Sequence, residues 1–242
     1  MFDHVTIRVS DLAASEAFYS TVLRTLGVEN ASDDEELPEW ENDFSIARAD
    51  AEHPVTRNLH IAWFAPSRDE VHAFWQAGVD AGHRDDGEPG PRPQYGSDYY
   101  GGFLLDPDGN SAEAVAVDFT KARGAIDHLW IRVADVAAAG RFYDTIAPIV
   151  GIRRGHEEPG HVQFRFDDGS FSLIEGTPTE HVHLAFGVPD DATVEAFHRA
   201  ATEAGYRDNG APGERPEYHA GYYGAYVLDP DGNNVEAVNH NR

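Results

Sequence analysis

The stretch Tyr99–Val115, YYGGFLLDPDGNSAEAV, returns near the end of the chain as Tyr222–Val238, YYGAYVLDPDGNNVEAV. Asp106-Pro107-Asp108-Gly109-Asn110 is a turn sequence: proline fixes φ at the first corner, and Gly109 or Asn110 accepts a positive φ. The apolar run before the turn and the alternating run after it then read as two strands of a hairpin. Glu113 follows Asn110 on a strand that is otherwise small and apolar, and Glu236 holds the same place in the second copy. A carboxylate repeated at such a position calls for partners.

Working outward, FDHVTIRVSDLAASEAFYSTV from Phe2 aligns with IDHLWIRVADVAAAGRFYDTI from Ile126. The whole chain is therefore two copies of one unit. The expected modules are residues 1–120 and 121–242, with a short join around Asp118–Gly124 that carries Lys121 and Arg123. Each module opens on a strand in which Val5, Ile7 and Val9 face one way and His4, Thr6 and Arg8 the other. Ser10 or Asp11 is placed to cap a helix that buries Phe18, Val22 and Leu26, and Gly27 is placed to end it. An acidic segment with Asp33-Asp34-Glu35-Glu36, expected as a surface loop, precedes a short strand near Phe44–Arg48. The pattern then restarts, with a strand over Asn58–Ala65 and a helix from Ser67 to Ala81 that turns Val71, Phe74 and Trp75 inward. A Pro/Gly loop from Gly87 leads into the hairpin. The second module repeats this with helices after Asp135 and near Asp191, and Pro148 is expected to shorten the first of them. The fold class that follows is α+β, with four half-units and helices on one face of mainly antiparallel sheets.

Alternation leaves certain residues on the face that the helices do not need. These are His4 on the opening strand, His60 on the Asn58–Ala65 strand and Glu113 on the return strand of the hairpin. The second module gives His128, His183 and Glu236 by the same rule. Imidazole and carboxylate together suit a divalent ion such as Mn, Fe, Co, Ni or Zn, and three protein ligands leave positions open for substrate.

Composition bounds the rest. The 242 residues carry 43 Asp and Glu against 18 Lys and Arg, a formal charge of -25, and contain no cysteine. Such a field repels nucleic acid and anionic membrane, so neither is expected as a partner. Without cysteine there is no disulfide framework and no thiolate chemistry. No apolar run is long enough to span a bilayer and the opening residues enter a strand pattern at once, so a cytoplasmic location is expected.

The segments DHVTIRVSDLAASEAFY, NLHIAWFA and LLDPDGNSAEAV, with DHLWIRVADVAAAGRFY, HVHLAFGV and VLDPDGNNVEAV, resemble the vicinal oxygen chelate superfamily. That family includes glyoxalase I, bleomycin-resistance proteins and type I extradiol dioxygenases. The resemblance implies paired βαβββ motifs forming cupped sheets around a metal, with ligands at His4, His60 and Glu113 and at His128, His183 and Glu236. Glyoxalase-type relatives use a further acidic ligand, for which Glu175 stands in the right segment, whereas the first module has Arg48 there. The implied function is a metal-dependent enzyme that chelates two adjacent oxygens of a small molecule, as an isomerase, lyase or dioxygenase passing through an enediolate-like species. The alternative is a metal-free protein that sequesters a drug or natural product between aromatic residues such as Trp63 and Trp130. Tyr100, Tyr223, Arg92 and Arg215 are weaker substrate-binding candidates. A monomer with an internal pseudo-dimer, or a homodimer, is expected.

Overall fold

A computed structural model of the chain describes residues 2–32, 34, 36–40, 43–117, 125–167 and 169–242. The join at 118–124, and positions 33 and 35 of the acidic run, lie outside the described residues. In the first repeat the elements are β1 (Phe2–Val9), α1 (Leu12–Leu23), β2 (Glu39–Trp40), β3 (Phe44–Arg48) and β4 (Leu59–Phe64). They continue with α2 (Arg68–Asp80), β5 (Arg84–Pro91), β6 (Tyr100–Leu105) and β7 (Ser111–Ala116). The second repeat has β8 (Ile126–Val133), α3 (Val136–Val150), β9 (Arg153–Glu158), β10 (His161–Arg165) and β11 (Ser170–Glu175). It closes with β12 (His183–Gly187), α4 (Asp191–Glu203), β13 (Arg207–Glu214), β14 (Tyr223–Leu228) and β15 (Asn234–Asn239).

The helix boundaries follow from their caps. Asp11 and Asp135 accept from the backbone N–H of Ala14 and Ala138, and Ser67 and Asp190 do the same for Glu70 and Thr193. A single 3-10 turn after α1 ends at Gly27, whose φ of 78° is left-handed. Pro148 does not shorten α3: the helix runs through it to Val150 and ends at Gly151 with φ 76°. Proline so near the C-terminus removes one hydrogen bond and leaves the earlier turns intact. Trp75 is half-buried at the rim of α2, where its indole N–H donates to Asp85 at 2.9 Å, and Val71, Phe74 and Gly78 are the buried residues of the helix. The Pro/Gly segments read as loops are partly strand, as β5 and β13. Their prolines are tolerated because each is an edge strand with slipped register.

The chain forms two compact units: residues 1–6 with 131–242, and residues 7–130. Sequence repeat and compact unit therefore differ at the opening strands, since β1 and β8 each contribute their first half to one unit and their second half to the other.

In the unit of residues 7–130, β4 runs parallel to β7, β7 antiparallel to β6, and β6 antiparallel to β5. The first half of β8 lies beside β4. Helix α2 covers β5, β6 and β7, and α1 packs on β3 and α2. Between helices and strands sits an aromatic core in which Tyr19, Trp40, Phe44 and Trp63 meet with ring centroids 4.7–6.0 Å apart. Trp63 is thus a core residue with no face for a ligand. The other unit repeats the plan: β12 is parallel to β15, β15 antiparallel to β14, and the first half of β1 antiparallel to β12. There Tyr143, Phe164 and Phe171 occupy the helix side.

Each hairpin turn is anchored by one carboxylate. Asp106 accepts from the backbone N–H of Asp108 and Asn110 and from the buried Tyr19 hydroxyl, at 2.8–2.9 Å. Asn110 then accepts from Leu59 N–H, which ties the turn to the start of β4. Gly109 takes a φ of 90°, the conformation the turn sequence requires.

Candidate functional site

In the unit of residues 7–130, the hairpin register puts Glu113 of β7 opposite Phe103 of β6 and beside Ala62 of β4. His60 Nε2 lies 3.0 Å from Glu113 Oε2, and His128 Nε2 lies 3.6 Å from the same oxygen. All three side chains are buried: Glu113 is 0% exposed and His128 7%. The second group, in the other unit, is His4, His183 and Glu236. His183 Nε2 is 2.9 Å from Glu236 Oε2, and His4 Nε2 is 3.0 Å from His183 Nε2 and 3.6 Å from Glu236 Oε2.

All six residues expected as ligands are thus brought into two groups, but the groups do not follow the repeats. His128 joins His60 and Glu113, and His4 joins His183 and Glu236. The opening strand of each repeat pairs with the other repeat's middle strand. Glu175 is exposed on β11 and belongs to neither group.

Tautomers are set by the atoms behind the rings. His128 Nδ1–H donates to Asp127 at 2.8 Å, and His4 Nδ1–H to Asp3 at 2.9 Å. Ser111 donates its hydroxyl proton to Asp86 at 2.8 Å, so it accepts from His60 Nδ1–H at 3.1 Å. Each of these imidazoles then presents an Nε2 lone pair toward its glutamate. His128 Nε2 is buried and has no hydrogen-bond partner, and the Nε2 atoms of His4 and His183, 3.0 Å apart, need a proton or a cation between them. Donors around a tetrahedral ion with bonds of about 2.0–2.1 Å lie roughly 3.3 Å apart. Both groups fit a divalent ion on chemistry and on spacing.

The glutamates are held from the side as well. Tyr99 donates to Glu113 Oε1 at 2.8 Å and Tyr222 to Glu236 Oε1 at 2.7 Å. Burial and the neighbouring carboxylate push both phenols well above their ordinary value, so each remains a donor. Glycine gives the carboxylates room. A Cβ at Gly101 would collide with Glu113 Oε1, and one at Gly224 would meet Glu236 Oε1 at 2.6 Å. Burial raises Glu113 to about 7, against lowering by His128 and Tyr99.

Of the weaker candidates, Tyr100 and Tyr223 turn to the helix side, where they meet His72 of α2 and Glu195 of α4. Their neighbours Tyr99 and Tyr222 are the residues at the site. Strand alternation allowed either phase, and only the ladder register selects it. Arg92 lies over the Phe103 ring at 5.1 Å, and Arg215 over Tyr226 at 5.5 Å. Phe103 is 6.0 Å from His60 and Tyr226 is 6.1 Å from His183, so both arginines border their groups. Sequence reasoning missed Tyr95, whose ring lies 5.0 Å from Trp130 and 5.2 Å from Tyr99, and Tyr218, 4.8 Å from Tyr222. These two are the exposed large apolar side chains among the described residues, which is the signal that finds them.

The model for the Glyoxalase/Bleomycin resistance protein/Dioxygenase superfamily matches residues 1–114 and again 125–237. The chain belongs to that superfamily, as a tandem member. Among solved structures it is similar to glyoxalase I from Zea mays, at 20% identity over 99% of this chain and 92% of that one, with a TM-score of 0.70. A protein from Bacillus subtilis proposed to be a dioxygenase is similar at 15% identity over 100% of this chain and 85% of that one, with a TM-score of 0.68. At these identities the likeness is one of fold. No curated protein matches the chain.

Proposed function

We propose that the protein is a metal-dependent enzyme acting on a small molecule that presents two adjacent oxygens, in an isomerase, lyase or dioxygenase type of reaction. The observation that carries this reading is the buried His128 Nε2 without a partner, aimed with His60 at a buried glutamate. A divalent ion of the Mn, Fe, Co, Ni or Zn kind, held by His60, Glu113 and His128 and by His4, His183 and Glu236, supplies Lewis-acid chemistry with positions left for substrate oxygens.

The chain's own residues do the rest. Asp127 and Asp3 orient the imidazoles, and Tyr99 and Tyr222 keep the outer glutamate oxygen engaged so that Oε2 faces the rings. Trp130 and Tyr95 form an aromatic wall beside His60 and His128, which suits a flat substrate. Arg92 and Arg215 place positive charge at the border for an anionic one. The two groups are unlike: Phe103 and Trp130 flank one, and Tyr226 the other, so one substrate need not serve both. A metal-free binding role leaves the buried imidazole–carboxylate groups without a purpose, since aromatic residues alone would hold a drug.

The test is metal analysis of protein purified without an affinity tag, beside His60→Ala and His183→Ala. About one ion per intact group, reduced in each variant, is expected. If the internal groups take up none of Mn, Fe, Co, Ni or Zn, the enzyme reading fails and ligand screening for a binding protein follows.

A further inference from the structure

A third set of metal-ligating side chains lies outside both groups. His156 and Glu158 stand two residues apart on β9, and His161 opens β10 directly across from Glu158. The turn between them is Pro159-Gly160, with Gly160 at φ 76°. Proline at the first corner and a positive-φ glycine at the second make a stiff reversal that holds the two strands in register. The ladder slips between Val162 and Phe164. Arg154, although two residues before His156, is thereby turned to the other face, where it lies over Phe164 and pairs with Asp144 and Glu157 at 2.6 and 2.8 Å. His156, Glu158 and His161 are left together on one face.

Their geometry is that of ligands more than of hydrogen-bonded neighbours. His156 Nε2 lies 3.6 Å from Glu158 Oε2, and His161 Nδ1 lies 3.5 Å from Glu158 Oε1. These separations are too long for hydrogen bonds and close to the roughly 3.3 Å between donors on a tetrahedral ion. One donor atom from each residue falls within 4.8 Å of the other two. His161 is also fixed from behind: its Nε2 lies 2.9 Å from the hydroxyl of the buried Ser172 on β11. With Nε2–H donating to that hydroxyl, Nδ1 carries the lone pair and faces Glu158.

We propose that His156, Glu158 and His161 form a separate site for a divalent transition-metal ion, Zn2+ being the tetrahedral case, which clips β9 to β10. Two imidazoles and one carboxylate select borderline transition metals over Mg2+ and Ca2+. Water fills the fourth position, since the cluster is at the surface. Every residue of β9 is exposed, so the strand has little buried apolar area to hold it, and a bridge from β9 to β10 supplies what packing does not. The site is absent from the first repeat, where no histidine matches His156 or His161.

The experiment titrates chelator-treated, untagged full-length protein with Zn2+ by equilibrium dialysis and with Co2+ by its absorption spectrum. His156→Ala and Glu158→Gln, both at exposed positions that do not threaten the fold, are expected to bind about one equivalent fewer than the unmodified protein. Amide exchange across residues 153–165 is expected to slow on adding Zn2+ in the unmodified protein and to stay unchanged in His156→Ala. His60→Ala and His183→Ala keep this equivalent. Equal stoichiometry in His156→Ala and the unmodified protein, or no Zn2+-dependent slowing of exchange in the hairpin, overturns the proposal. If the internal groups bind nothing, the unmodified protein still takes up one ion and His156→Ala none, so the two readings fail separately.

Discussion

Glu113 shows at the scale of one residue why the candidate site depends on burial. Its carboxyl is raised to about 7 from an ordinary 4.5 chiefly because burial removes it from solvent. The folded protein therefore holds a proton there that the unfolded chain releases above pH 4.5. In metal-free protein this contribution to stability is present below about pH 4.5, is lost as pH rises to about 7, and is level above that. The shift corresponds to about 3 kcal/mol. Denaturation of chelator-treated protein at pH 5 and pH 8 is expected to show this loss, and Glu113→Gln to flatten it. A variant with the same pH slope as the unmodified protein contradicts the assignment. The position of Glu113 was legible in the sequence as a repeated acid on an apolar strand. Its proton affinity was not, since that comes from residues packed around it from β4, β6 and β8.

Among the elements, the hairpin turn has the most to do per residue. Asp106 satisfies two backbone amides and the Tyr19 hydroxyl, while Asn110 holds Leu59. Replacing Asp106 by Ala leaves the buried Tyr19 hydroxyl and the amides without their acceptor, at a cost of about 2–4 kcal/mol. For a chain of this size that is a fall of roughly 4–16 °C in Tm, measurable by calorimetry. Because the turn sets the register that places Glu113 opposite Phe103, the same variant should lose metal as well as stability. Turn, hairpin and helix caps were readable because they are local: proline, glycine and Asx side chains act within a few residues. The choice between Tyr99 and Tyr100 was not local. It rests on which phase of β6 meets Glu113 across the ladder, and Gly101 is what lets that carboxylate approach.

Across the whole molecule, the grouping of ligands gives a direct test. In a His183→Ala background the remaining internal ion is expected to vanish on adding His128→Ala and to persist on adding His4→Ala. Ligand sets confined to each repeat would give the reverse, and metal analysis of the two double variants decides it. The formal charge of -25 adds a second expectation, since self-repulsion opposes compaction and salt screens it. Raising NaCl from about 10 mM to about 1 M should increase Tm; a fall would mean that attractive pairs dominate.

By itself the sequence determined the duplication, the four helices and their caps, the hairpin turns and the six His and Glu residues left on the face away from the helices. Those features follow from periodicity, capping and turn chemistry, all encoded within short windows. Tertiary structure decided which histidine serves which glutamate, which tyrosine of each pair reaches the carboxylate, and where the compact units begin and end. Strand pairing between distant segments carries no short-range signature. The two opening strands are so alike that either could in principle pair with either middle strand, and only the folded sheet selects the exchange.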